Sequence, residues 1–201
     1  VDFGAEGILA AVVAKAMGMD VIAFTASPRR DAESKKDTGY IVPGTGDVDG
    51  TVPSAWYSGL DKESLHNFLA QDIDILLLSV PLTDKTRHLL DKEEFEILGK
   101  KNAFVANISR GAIINHDELL KAARKDPKDG GLRGAALDVT EPEPLNADSE
   151  LWDAPNITIT PHISGISVAY TERSLQVLEK NLTNYLSGRP LINVVDRERG
   201  Y

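Results

Sequence analysis

The chain contains no cysteine, which removes disulfide frameworks and thiolate zinc sites, and its four histidines are too scattered to found another kind of metal site. No metal is expected. Long apolar runs are missing too: none approaches the roughly 20 residues a membrane-spanning helix needs, and the first residues do not resemble a signal peptide. A cytoplasmic protein without a membrane partner is the expectation. Basic charge is scarce, with 22 Lys and Arg against 31 Asp and Glu and a net charge of −9. No block of Lys or Arg is long enough to follow a phosphate backbone, so nucleic acid is not expected as a partner. What remains is 201 residues, 42% of them apolar, enough to bury the core of one domain.

Short β-branched runs alternate with longer amphipathic stretches, as in βα units around a parallel sheet. Val1 to Phe3 reads as the end of a first strand, followed by a helix to about Met17 that Gly18 ends. Val21 to Phe24 is a second strand. From Thr25 to Leu60 the chain is rich in Gly, Pro, Asp and Ser and reads as loop with one short strand near Trp56. Asp61 caps the next helix, and Ile73 to Val80 is an unbroken apolar run expected as a central strand buried on both faces. Asp91 with Glu94, and Asn115 with Glu118, have capping-box spacing before two further helices. Strands are expected at Ala103 to Ile108, Gly134 to Val139 and Ile157 to Thr160. A last helix spans Ser167 to Leu186, with Val168, Leu175, Leu178, Leu182 and Leu186 on one side. The expected class is α/β, a doubly wound parallel sheet of Rossmann type. Residues 1–187 read as that one domain, entered part-way through its first strand, and 188–201 as a C-terminal segment leaving it.

In such a sheet, ligands bind beyond the carboxyl ends of the strands. Those exits carry Gly4-Ala5-Glu6-Gly7, Thr25, Pro81-Leu82-Thr83, Ser109-Arg110-Gly111, Asp138 and His162. The first is close to the dinucleotide fingerprint, with Gly4 and Gly7 in the second and third glycine positions but Asp2 in the first. Glu6 adds a negative charge near a negative ligand, opposing binding by roughly 1 to 4 kcal/mol at 4 Å. At the second exit, where NAD enzymes place a carboxylate for the ribose 2′-hydroxyl, stands Thr25. Ser27, Arg29 and Arg30 follow, offering a hydroxyl and two cations suited to a 2′-phosphate, so NADP is preferred over NAD. The rival reading makes both arginines solvated loop residues.

The segments SVPLTDKTRHLL, NISRGAIINHDELLKA, GAALDVTEPEPL and ITITPHISG, in this order and spacing, resemble the signatures of the D-isomer-specific 2-hydroxyacid dehydrogenases, in their nucleotide-binding domain. The resemblance implies an NAD(P)-dependent oxidoreductase acting on a small 2-keto or 2-hydroxy acid, with glyoxylate or hydroxypyruvate as candidate substrates, and usually a homodimer. It implies Arg110, Glu143 and His162 as catalytic residues. An imidazole suits proton transfer to a carbonyl near neutral pH, a carboxylate bonded to it supports the imidazolium, and a guanidinium forks onto the substrate carboxylate. Asp138 is implied as a partner of the nicotinamide carboxamide and the turn from Pro81 to Thr86 as lying along the adenosine. Ile108, Ser109 and Gly165 complete the candidate cofactor contacts. Ser164 stands where the family often has glycine.

By the same resemblance, residues 1–187 are the NAD(P)-binding domain and 188–201 lead back toward the family's second, substrate domain, which closes the cleft against water and is expected to be absent from these residues, so turnover by them alone is not expected. Two rival functions stand beside the enzyme: a dinucleotide-sensing scaffold like the corepressors that resemble these dehydrogenases, and a degenerate domain that binds no dinucleotide, motivated by Asp2 and Glu6.

Overall fold

A computed structural model of the chain describes residues 5–37, 39–195 and 197. The expected strand at Val1 to Phe3 lies outside them. The elements run α1 (Ala5–Ala16), β1 (Ile22–Thr25), α2 (Ala32–Lys35), β2 (Ala55–Ser58), α3 (Lys62–Leu69), β3 (Ile75–Leu78), α4 (Lys92–Gly99), β4 (Phe104–Asn107), α5 (His116–Arg124), β5 (Gly134–Leu137), β6 (Ile157–Ile159) and α6 (Tyr170–Leu186). All strand pairs are parallel, β1 with β2 and, in a second group, β3-β4-β5-β6 in that order. The architecture is α/β and Rossmann-like, parallel sheets with flanking helices.

Capping chemistry starts the helices where the spacing places them. The Asp61 carboxylate accepts from Ser64 N at 2.8 Å, and the Asp91–Glu94 box closes reciprocally. Asn115 caps α5, but Glu118 pairs with Lys121 at 2.6 Å, one turn along the same helix. Apolar side chains of α3, α4 and α5, among them Leu65, Phe68, Phe95, Leu98 and Leu119, share one core with Leu76, Leu78, Val105, Ala135 and Leu137 of the strands.

Four expectations change. The Thr25–Leu60 stretch contains, besides β2, the single turn α2, held by Asp31, whose carboxylate accepts from Ser34 N at 2.8 Å. The run around β3 is not central among the described strands: β3 is an edge of its group and Ile75 is 50% exposed, because every second residue of a strand turns to the same face. Glu118 takes Lys121 as its partner, as above. The last helix begins at Tyr170 rather than Ser167, and its residues Leu175, Leu178, Leu182 and Leu186 are exposed. Beyond α6 the chain folds back on it, with Asn181 bonded both ways to the Ile192 backbone and Asn184 donating to Pro190 O. No helix among the described residues is long and apolar enough to cross a membrane.

Candidate active site

Each exit of the four-stranded group is shaped by a polar residue at or just past the strand end. Asn107 closes β4 fully buried; its Oδ1 accepts from Ser109 N at 3.0 Å and Ser109 Oγ at 2.8 Å, while its Nδ2 donates to Arg110 O at 3.0 Å. This one amide folds the turn that presents Arg110 to solvent. The Arg110 guanidinium gives Nη1 to Ser109 O at 2.6 Å, leaving its other N–H donors outward. Gly111 comes next because nothing larger fits: a Cβ there would lie 2.0 Å from the Thr140 carbonyl carbon. The Arg110 turn is thereby seated against the chain that leaves β5.

Asp138 organises the β5 and β6 exits together. Its Oδ1 accepts from Thr160 Oγ1 at 2.6 Å and Ile163 N at 2.9 Å, and its Oδ2 from Ser164 N at 2.9 Å. Burial works against the charge of this carboxylate, which is 6% exposed, but the bonds from Ser164, Thr160 and the Ile163 backbone outweigh it and hold the group at about 2. Between Thr160 and Ile163 stands His162, a non-glycine residue at φ 54°, a conformation that costs about 1 to 3 kcal/mol and persists only where its surroundings dictate it. Here the surroundings do so: its own N–H is bonded to Asp138 O at 2.9 Å, and the two residues after it are pinned by the Asp138 carboxylate.

The pinned turn brings the His162 ring to Glu143, with Nδ1 2.5 Å from Glu143 Oε1. Both side chains are partly open, 47% and 40% exposed. A carboxylate facing Nδ1 favours the tautomer with the proton there, an arrangement in which Nε2 is the ring nitrogen able to exchange a proton with a ligand. Arg110, on the neighbouring strand exit, adds a fixed cation on the same edge of the sheet. Among the described residues, the remaining histidines do not join this pair. His66 bonds the buried Glu94 at 2.5 Å, and His88 and His116 lie near Glu141.

The candidate cofactor residues fall into three groups. Gly4, like Asp2, lies outside the described residues, as do the side chains of Ala5 and Glu6; Gly7 is buried in the first turn of α1. Thr25 is buried and gives its hydroxyl proton to Ser27 O at 2.7 Å, Ser27 and Arg30 are exposed, and Arg29 donates from Nη1 to Ser34 O. Arg29 and Arg30 line a cavity of about 420 Å³ with Lys35, Ser54, Trp56 and Ser58, and among the described residues no carboxylate lines it. The third group lies along the other exits. The Thr86 hydroxyl closes the turn onto Pro81 O at 2.7 Å, Ile108 is half-buried, Ser109 is buried, and Gly165 is exposed with open space where a side chain would go. Sequence reasoning assigned no role to Asn107, Thr160 or Lys35, and read Gly111 only as part of a strand exit. Asn107 and Thr160 stood inside motifs already singled out, at or one residue from the end of a predicted strand; Lys35 did not.

Comparison with known proteins identifies the family. Residues 49–164 match the family described as D-isomer specific 2-hydroxyacid dehydrogenase, NAD binding domain. The chain belongs to that family. A glyoxylate reductase of Aeropyrum pernix is 32% identical over 195 residues, 97% of this chain and 50% of the relative. The glyoxylate/hydroxypyruvate reductase A of Arabidopsis thaliana is 37% identical over 127 residues, 63% of this chain and 39% of the relative. Among solved structures, a probable 2-hydroxyacid dehydrogenase from Rhizobium etli, in complex with NADP, HEPES and L(+)-tartaric acid, superposes with a TM-score of 0.74 at 29% identity, covering 99% of this chain and 55% of its own. An NADPH-dependent glyoxylate/hydroxypyruvate reductase from Sinorhizobium meliloti, in complex with NADP and sulfate, gives 0.73 at 29%, covering 97% and 54%. The chain spans about half the length of the curated relatives it matches.

Proposed function

We propose that this family member reduces a small 2-keto acid to the 2-hydroxy acid, and runs the reverse oxidation, with NADP preferred over NAD and His162 as the acid and base. The observation that carries the reading is the His162–Glu143 pair, 2.5 Å apart on a turn held in a strained conformation at a strand exit. The bound reduced nicotinamide would supply a hydride to the keto carbon. His162 Nε2 gives its proton to the carbonyl oxygen as that oxygen gains charge, and Glu143, bonded at Nδ1, keeps the ring aimed. The sum is one hydride and one proton added across C=O; in oxidation the same nitrogen takes the hydroxyl proton. Arg110 holds the substrate carboxylate with its outward N–H donors. Glyoxylate and hydroxypyruvate are the substrate candidates, as the named relatives' reactions suggest.

The dinucleotide fits this chain on two counts. Ser109 and Ile108 stand at the β4 exit, the turn closed by Thr86 flanks it, and Asp138 has lone-pair capacity beyond its three donors for a carboxamide. The cavity at Arg29, Arg30 and Lys35 gathers three cations, with hydroxyls from Ser54 and Ser58, in a chain whose net charge is −9. A phosphomonoester is what such a lining favours, and the 2′-phosphate is the group that distinguishes NADP from NAD.

Two measurements test the reading. Calorimetry should give tighter binding of NADPH than NADH; equal or tighter NADH binding ends the cofactor preference. In the full-length protein, His162→Gln should lower keto-acid-dependent oxidation of NADPH by about 10²- to 10⁴-fold while leaving the NADPH dissociation constant within about twofold. Undiminished turnover in that variant ends the assignment of His162. Residues 1–201 tested alone are expected to be silent because His162 lies open to water, and turnover of roughly 1 per second or faster would contradict this.

A further inference from the structure

Glu143 leaves β5 on an exposed stretch, Glu141-Pro142-Glu143-Pro144, and something must hold its carboxylate on Nδ1 of His162. The Thr140 hydroxyl donates to Pro142 O at 2.9 Å, and Gly111 seats the backbone at Thr140 and Glu141. Neither fixes the direction in which the chain continues. Two residues before Glu143, the Glu141 carboxylate takes both oxygens to one guanidinium nitrogen, Arg87 Nη1, at 2.9 and 3.2 Å, across 54 positions of sequence. His88 Nε2 stands 3.9 Å from the same carboxylate. On the inner side, the His116 ring lies against the Glu141 main chain, its pKa lowered first by burial, with the Glu141 backbone and charge opposing that shift.

Arg87 is itself anchored. Its N–H is bonded to Thr83 O at 3.0 Å inside the turn after β3, and the next N–H, of His88, to Ala112 O at 2.8 Å beyond β4. Support therefore passes from the β3 and β4 exits, through Arg87 and Glu141, to Glu143 and His162.

We propose that the Arg87–Glu141 ion pair is a positioning device for Glu143, so that Arg87, which touches neither His162 nor Glu143 in this chain of contacts, sets the geometry of the proton-transfer pair. The proposal rests on the reading of Glu143 and His162 as that pair. The ion pair is half exposed, 51% and 42%, and such a pair contributes little to stability. Its effect is directional: displacing a reacting group by about 1 Å costs on the order of 10²-fold in rate.

The test uses proton NMR and turnover on the full-length protein. Short imidazole–carboxylate bonds give downfield N–H resonances, and two are expected, from His162–Glu143 and from His66–Glu94, both 2.5 Å. Glu143→Gln identifies the first by removing it; the second is an internal reference. Arg87→Gln should shift or broaden the Glu143-dependent resonance, leave the His66 resonance and Tm unchanged, and lower kcat about tenfold or more with the KM for NADPH held. Arg87→Lys should recover most of both. Arg124→Gln, which removes the surface pair with Glu150 at 2.7 Å, should change neither. An unaltered Glu143-dependent resonance in Arg87→Gln overturns the positioning role, as does an equal effect from Arg124→Gln. Full turnover in Glu143→Gln overturns the proton-transfer reading instead, while the resonance still decides whether Arg87 places Glu143.

Discussion

Replacing Asp138 by Asn removes one charge and disturbs three hydrogen bonds without changing the size of the side chain. In the native chain the carboxyl is held at about 2 against an ordinary 3.8, so at about 1.4 kcal/mol per pH unit the charge contributes about 2 to 3 kcal/mol at neutral pH. An asparagine keeps one acceptor oxygen but turns an NH₂ donor toward a group that itself donates. With Ile163 N and Ser164 N both needing acceptors, one of them goes unsatisfied. The expected loss is about 2 to 3 kcal/mol, near 4 to 10 °C in Tm for a chain of this length. The pH dependence has a definite sign. A carboxyl whose pKa is depressed by folding stabilises fully above its unfolded value near 4, and that contribution disappears as pH falls through about 2. Urea unfolding of both proteins, followed by tryptophan fluorescence from pH 7 to 2.5, should show a gap that is widest above pH 5 and narrows below pH 4. A gap under about 0.5 kcal/mol at pH 7, or curves that stay parallel down to pH 2.5, would refute the claim that this carboxylate pins the His162 turn.

Gly111→Ala places a methyl 2.0 Å from the Thr140 carbonyl carbon and 2.1 Å from its oxygen, backbone atoms that cannot rotate away; a loss of about 1 to 3 kcal/mol is expected by denaturant unfolding, and a neutral outcome would mean the two exits are not in contact. Lys35→Gln should weaken NADPH binding by roughly fivefold to tenfold in calorimetry and leave NADH within twofold, since only the 2′-phosphate gains from a third cation; an equal loss for both cofactors would remove the residue from the phosphate site.

Much of this edge was readable before any coordinates because its signals are local. Asp61, Asp91 with Glu94, and Asn115 mark helix starts by side chains that bond three residues on or fewer. The strand exits follow from where each β-branched run stops, which picks out Arg110, Asp138 and His162; Glu143, further along the chain leaving β5, was implied by the family resemblance alone. What escaped depends on pairings distant in sequence or on what a strand has for a neighbour. Arg87 meets Glu141 across 54 residues, and Lys35 joins Arg29 and Arg30 only because α2 forms a turn that carries no helical period of its own. The edge position of β3 among the described strands was hidden because ILLL is apolar on both faces whether or not both are covered. Asp138 was legible as a strand-exit carboxylate; that its oxygens serve the next strand's turn, 22 to 26 residues on, was not.

The buried polar residues set this edge apart from a place where strands simply happen to stop. Of the seven polar side chains buried among the described residues, Thr25, Asn107, Ser109, Asp138 and Thr140 all lie at or just beyond the carboxyl ends of strands, while Asp47 and Glu94 close a loop and cap a helix. Burying such groups costs free energy unless every one is bonded, and an apolar residue in each place would spare that cost. A chain selected for stability alone has no reason to collect them on one edge. Each has a bond that bends the chain away from its strand direction: Thr25 to Ser27, Asn107 to Ser109 and Arg110, Asp138 to Ile163 and Ser164, Thr140 to Pro142. Loops are ordinarily the most mobile part of such a fold, and proton transfer tolerates little displacement. Buried polar anchors tie down the loops that carry Arg110, Glu143 and His162, which is what the proposed proton transfer requires.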